Sequence, residues 1–495
     1  MRVTTCVLAT ILAVTSLSVL ADESGEGILL RSVDTFDEIK KLLAPDAEEN
    51  DEFGYAVAIS GDTLVVGAWR DDDACPGDPN CDSGAVYIFE RSTGGPEKWG
   101  FSKKLTASDG AAYHSFGRAV AIDGDYIVVG APAFSLSNVY GAAYVFERDY
   151  PTVGAWGERK KLISSEAAAN DKIGYSVGIS GFTAIVGAPY EDTGGNSSGA
   201  AYTFEAHYPT SDNWGQTKIL RASDKYASDY FGWSVAISGN FAIVGALLED
   251  GPALGDSGAA YVFERDYLGT ENWGERKKLM ASDQEADDEF GVSVAISNET
   301  AVVGSHLDDD ACPGDANCDS GSAYVFERGE GGPDNWGEVQ KLVASDDAGG
   351  DELGISVSVS GARAVVGAFR SDAGEFDAGS AYAFERHHGG RDNWGELQKL
   401  GGSDTANSDE FGMAVAISGL TLVSGAHFND DVCPTVPGCN SGSAYVFQSP
   451  NPGLFIAEAL ATPVDLLRPE RLDRVGLRRF PCRQVASSQR HSDEQ

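Results

Sequence analysis

Two short acidic runs, Asp71-Asp72-Asp73 and Asp308-Asp309-Asp310, are the residues of this chain best suited to chemistry. Each precedes a Cys-x5-Cys pair: Cys75 and Cys81 after the first, Cys312 and Cys318 after the second. A third pair follows Asp430-Asp431, at Cys433 and Cys439. Calcium takes about six to eight oxygen ligands, so carboxylates converging from neighbouring loops offer it a site. A cation would also relieve their mutual repulsion. The plainer reading is that Asp makes turns by bonding its own backbone. Both readings stand at this point.

In an oxidising compartment each cysteine pair closes a small local loop as a disulfide. Thiolate metal sites use tighter spacing and a second pair or a nearby His, so local disulfides are the expectation. Cys482 is left over. Catalysis has little support. The histidines, at 114, 207, 306, 387, 388, 427 and 491, do not recur beside a Ser or Cys nucleophile. Paired carboxylates could serve a glycosidase, but the acids recur from unit to unit and form no asymmetric cluster. His306 and His427 read as loop residues.

These acids and cysteines sit in a repeated unit. Phe-Gly, then Gly-Ala, then Ser-Gly-Ala-Tyr-Val-Phe recur seven times, with the first landmark at Phe53, Phe116, Ile173, Phe231, Phe290, Leu353 and Phe411. Repeats of this length indicate a solenoid, an array or a propeller. Each unit holds four β-like stretches, in the first at 53–60, 63–68, 84–91 and 102–107. Large and small residues alternate from Phe53 to Ser60, the period of a strand. Apolarity falls from the first stretch to the fourth, where Lys103 and Lys104 mark an outer edge. Ser60-Gly61-Asp62 and its equivalents are tight hairpin turns. The Trp-Gly pairs at Trp99, Trp156, Trp214, Trp273, Trp336 and Trp394 read as packing over the blade ends.

The seventh unit lacks a Lys-Leu strand, and one stands before the first unit at 39–43. The expected fold is therefore all-β: a seven-bladed β-propeller of four-stranded antiparallel blades, closed by an N-terminal strand completing blade seven beside 441–447. The expected organisation is a signal peptide at 1–21, a linker at 22–36, the propeller at 37–449 and a disordered tail at 450–495.

The landmarks, with full Gly-Ala-Pro at Gly130-Ala131-Pro132 and Gly187-Ala188-Pro189, resemble the FG-GAP repeat family, known from the propeller head of integrin α chains. The likeness is greatest to its secreted bacterial branch. It implies an extracellular binding or adhesion role. In integrin-like members calcium sits in an Asp-rich loop between strands one and two, and that loop is only Ser-Gly-Asp here, so the calcium role does not carry over to it. The acids lie instead in the two-to-three and four-to-one loops, which share one face. An acid stands seven positions before each landmark: Asp46, Asp109, Glu166, Asp224, Asp283, Asp346 and Asp404. A second stands two positions before it at Asp51, Asp171, Asp229, Asp288, Asp351 and Asp409, with His114 breaking the series.

A net charge of −40 repels nucleic acid and anionic membrane. The apolar run at 6–20 after Arg2 is too short to span a bilayer and reads as an export signal. The expected protein is a secreted or cell-surface monomer, not inserted in a membrane, that binds an extracellular protein or glycan through its acidic face. An extracellular polysaccharide hydrolase or lyase, or a purely structural envelope protein, is the alternative.

Overall fold

The computed structural model describes residues 17–20, 29–32 and 35–449, apart from 76–77, 79–80, 134–138, 212, 251–254, 268, 270–271, 310–317, 373–375, 431 and 433–437. Between Asp34 and Pro450 the chain forms one unit of seven four-stranded antiparallel sheets. In blade one the strands are Ala56–Ser60, Thr63–Ala68, Ala85–Glu90 and Gly100–Leu105, paired in that order. The first strands touch one another around a ring, and the first strand of blade seven returns to that of blade one. The architecture is a seven-bladed β-propeller.

Ring closure follows the sequence expectation. Asp37–Leu42 pairs antiparallel with Ser443–Gln448 as the fourth strand of blade seven. Phe36, expected in the linker, is buried, and its N–H donates to Gln398 Oε1 at 2.7 Å. Glu38 receives hydrogen bonds from Ser403 N and Oγ, as Glu158 does from Ser108. The closing strand thus reproduces the contacts of a native outer strand and removes an open edge.

The burial gradient differs from the expected one. Thr63–Ala68 is buried throughout, whereas the first strands of blades two and four are only partly buried. The innermost strand borders the central channel, so the second strand is the one covered on both faces. The expected alternation also breaks. Phe53 stands outside the regular strand, bridging in parallel to Gly442 of blade seven.

That bridge explains the repeated motif. The Phe53 ring packs edge-on against Tyr87 of its own blade, centroids 5.4 Å apart. Its backbone faces the glycine opening the third strand of the preceding blade, a contact repeated from Gly141–Ile173 to Gly379–Phe411. A Cβ on Gly67 would lie 2.1 Å from the Gly117 carbonyl oxygen of the next blade. The landmarks are therefore the places where adjacent blades meet backbone to backbone. On the opposite face Gly124 N donates to Ser60 Oγ of the preceding turn, and Gly239 N to Ser180 Oγ. The same link closes the ring from Gly61 N to Ser418 Oγ.

All six Trp-Gly tryptophans are buried. Trp273, Trp336 and Trp394 begin the outer strand rather than lying in the hairpin before it. Cys75 and Cys81 form a disulfide. Cys318 and Cys439 are disulfide-bonded too, and Cys312 and Cys433 lie outside the described residues. A separate unit comprises 1–33 and 451–495. Within it Leu17–Leu20 pairs antiparallel with Leu29–Ser32. The expected signal peptide, most of the linker, Cys482 and the tail otherwise lie outside the described residues.

Candidate functional site

The outer strand of six blades brings a lysine to the loop-bearing face, the residue after that strand brings Arg221 in blade three, and the repeated acids gather on these cations. Lys104 Nζ lies 2.7 Å from Asp71 Oδ2 and 3.0 Å from Asp46 Oδ2, and also meets Asp73. The Tyr87 hydroxyl stands 2.8 Å from Asp46 and 2.7 Å from Asp71. Blade five repeats this with Lys341, Asp283, Asp308 and Tyr324. Blade four uses Lys278, Asp224 and Glu249. In blade three Ile219 holds the lysine position, and Arg221 reaches Glu166 and Glu191 instead. Lys399 takes Asp346 with Ser371, and Lys41 takes Asp404 with Asn429.

Burial pushes the Asp46 carboxyl up, but hydrogen bonds from Tyr87 and Lys104 and the ammonium charge outweigh it and hold it below the usual range. The second acid series serves the backbone. Asp51 Oδ2 accepts from Glu48 N at 2.7 Å, and Asp171, Asp229, Asp288 and Asp409 each accept from the N–H three residues earlier. These are turn contacts of the plain kind.

The acids expected to hold calcium thus meet the chain's own ammonium groups at Asp71, Asp73 and Asp308. Asp72 is half-buried. Burial and the charges of Asp71, Asp73 and Asp78 raise its carboxyl. Asp309 is also half-buried, and Asp310 lies outside the described residues. Among the described residues no group of three or more His, Cys, Asp or Glu is arranged to hold a metal ion.

A different cluster lies at the loop-side mouth of the central channel, built from the residues flanking the landmarks. Arg118 stacks over Tyr55 at 4.2 Å and over Tyr175 at 5.2 Å, joining blades one, two and three. Tyr175 packs on Trp233 of blade four at 4.5 Å, and Tyr190 on Tyr230 at 5.2 Å. Tyr55 also meets His427 of blade seven at 5.3 Å. The remaining arc is carboxylic. His306 Nε2 lies 3.8 Å from Glu289 and 3.9 Å from Glu352, and His427 Nε2 lies 3.5 Å from Glu410. Arg370 pairs with Glu352 at 2.6 Å. Arg70 pairs with Glu52 at 3.1 Å, and Trp69 Nε1 donates to the same carboxylate. One arc of the mouth is therefore aromatic and the other is a chain of glutamates with two arginines. His306 and His427 are loop residues as expected, each in the turn directly after the second strand of its blade. The expectation that the acids form no asymmetric cluster is corrected. The signal was available in the repeat columns that vary: Tyr55, Arg118, Tyr175, Trp233, Val292, Ile355 and Met413 follow the landmark glycine.

Burial raises Glu289, Glu352 and Glu410 to about 7, with neighbouring acids adding to it. Burial raises Asp51 and Asp288 likewise to about 7. His306 is lowered by burial and Arg370 to about 4, and His427 by burial, Arg118 and Arg70 to about 3. A raised carboxyl stabilises the fold fully below its unfolded value, and that stability is lost as pH rises through about 7. The lowered histidines act oppositely, stabilising above 6.5 and losing this as pH falls. The five raised carboxyls named here outnumber the two histidines, so the midpoint of urea unfolding is expected to fall between pH 5 and pH 7.5. A midpoint that climbs across that window would contradict the burial of these acids.

The FG-GAP repeat family matches residues 36–89, 99–146, 156–204, 214–263, 273–326, 336–384 and 394–447. No curated protein matches the chain. Each matched segment runs from the outer strand of one blade through the first three strands of the next, and the landmark contacts between blades account for the motif, so the chain belongs to the FG-GAP repeat family.

Proposed function

We propose that this is an extracellular binding propeller that engages a protein or glycan at the axial mouth of its loop-bearing face. The observation that carries this reading is the break in symmetry there. Six of the seven blades place a basic residue against acids or polar partners from two loops, whereas the mouth residues differ from blade to blade. Tyr190, Tyr230 and Trp233 remain partly exposed beside partly exposed Glu289 and Glu410 and exposed Arg370. Aromatic faces with hydrogen-bonding carboxyls suit sugar rings and protein side chains alike. The repeat family and the Cys75–Cys81 disulfide suggest an extracellular protein. The apolar run at 6–20 supports export.

The test is saturable attachment of the full chain to a panel of polysaccharides and extracellular-matrix proteins. Trp233→Ala combined with Arg370→Ala should lower affinity for the captured ligand by about tenfold or more, as loss of central contacts does. Asp62→Asn, on the opposite face, should leave it unchanged. Equal binding by the mouth variant would remove the mouth from the contact. Turnover of a polysaccharide would replace the binding reading with the hydrolase or lyase one.

A further inference from the structure

The aromatic arc of the mouth is a box rather than a platform. Tyr175, Trp233, Tyr230 and Tyr190 close a four-sided figure, with ring centroids 4.5, 6.2, 5.2 and 6.4 Å apart in turn. Trp233 meets Tyr230 at 79° and Tyr230 meets Tyr190 at 78°, so these rings stand as walls. Tyr175 is buried, and the other three are partly exposed. Upright walls suit a rounded cation, because the negative face of a ring attracts one over about 6 Å. The chain's own Arg118 already lies over Tyr175 in this way, at 5.2 Å.

A carboxyl stands next to the box. Glu289 holds in blade five the place that Tyr230 holds in blade four, directly before the landmark and with φ 54° in both. Burial raises the Tyr175 hydroxyl and the Glu289 charge adds to it, which puts this carboxylate within electrostatic reach of the box. Glu352 and Glu52 each have an arginine. Among the described residues Glu289 has none, and the basic group within 4 Å of it is His306 Nε2 at 3.8 Å. Burial and the Arg370 charge keep that ring neutral. Asp256, Glu352, Asp287 and Asp319 add negative charge around Glu289.

We propose that the box binds a trimethylammonium group of the ligand, with Glu289 as its counter-charge. This rests on the mouth being the binding region and narrows what it takes. A bare ammonium is strongly hydrated and needs oxygen acceptors for its three N–H groups, whereas the box offers mainly ring faces. Methyl groups in place of those hydrogens need no acceptors and pack against the walls. The positive charge remains to meet Glu289, and the net charge of −40 draws it to the protein.

The probes are choline, ethanolamine and the neutral tert-butyl isostere of choline, titrated calorimetrically into the full chain at pH 8, where Glu289 is ionised. Choline is expected to bind saturably and the other two at least about fivefold more weakly, the scale of one desolvated cation–π contact. Trp233→Leu keeps apolar bulk without the ring, and Glu289→Gln keeps the shape without the charge. Each should lower choline affinity by about fivefold. Tyr190→Leu removes a second wall and serves if Trp233→Leu fails to fold. A peptide bearing trimethyl-lysine carries the same group, and its affinity against that of choline tells a protein-borne source from a free one. Ethanolamine or the neutral isostere matching choline, or unchanged choline affinity in either variant, would overturn the proposal. If the Trp233→Ala, Arg370→Ala variant loses the captured macromolecule while choline does not bind, the mouth stands and the trimethylammonium ligand falls. If choline binds while that variant keeps its attachment, the ammonium site stands and the mouth reading falls.

Discussion

Gly304→Ala is expected to destabilise the ring by about 3 kcal/mol or more, the scale of overpacking a site that cannot relax. The added Cβ would lie 1.9 Å from the Gly354 carbonyl oxygen of blade six and 2.4 Å from Ser293 Oγ. The nearest obstacle is backbone, so blades five and six would have to separate to admit one methyl group. The matching control is Gly61→Asn on the opposite face. Gly61 has φ 57° and nothing within 4 Å of its would-be Cβ, and the equivalent turn of blade five already carries Asn298 at φ 55°. Asn tolerates this left-handed conformation, so the control should change stability by only a few tenths of a kcal/mol. Urea unfolding of the two variants checks the pair. Similar midpoints would mean that the landmark glycines do not set the blade spacing.

Lys104→Met should cost about 3–5 kcal/mol, the range for breaking a buried pair from one side. Asp71 is buried and would lose its ammonium partner, keeping the Tyr87 hydroxyl as a hydrogen-bond donor beside the carboxylates of Asp46 and Asp73. Lys161→Met should cost less, about 1 kcal/mol or below, because its only carboxylate partner among the described residues, Asp109, is half exposed. The same variant bears on calcium. With the ammonium gone, Asp46, Asp71 and Asp73 become three carboxylates without a counter-charge, and oxygen ligands of this kind suit a divalent ion. Millimolar calcium should therefore raise the melting temperature of Lys104→Met more than that of the unaltered chain, through binding to the folded state alone. An equal response in both proteins would show that Lys104 does not occupy the place of a cation.

The two predictions concern different parts of the repeat, and they were unequally legible. The glycine landmarks stand out because each blade-to-blade contact requires a residue without a Cβ, so the requirement is written seven times. The role of Lys104 was harder to read. Its polarity marks an edge strand, and the edge is where its backbone lies. Its side chain turns along the strand past Tyr87 to acids in two loops, a reach that strand periodicity does not describe. The turn-making role of Asp51 and its equivalents was available from local chemistry, since the accepted N–H is only three residues away.

The axial mouth is the part least legible in the sequence. Its residues sit next to the landmarks but vary from blade to blade, so recurrence does not mark them. Tyr55 and His427 touch only because blade seven returns to blade one. His306 is flanked by Glu289 and Glu352 only because blades five and six pack side by side.

By itself the sequence determined the number of blades, their four strands, the closing strand at the N-terminus and the cystine-bearing loops. Those follow from alternation, turn residues and spacing, which act over a few residues. Only the tertiary structure decided which cation each loop acid faces, which strand is most deeply covered, and that an aromatic and carboxylic mouth exists. These depend on the distance between blades and the direction of each side chain, which arise only once seven units close on one axis.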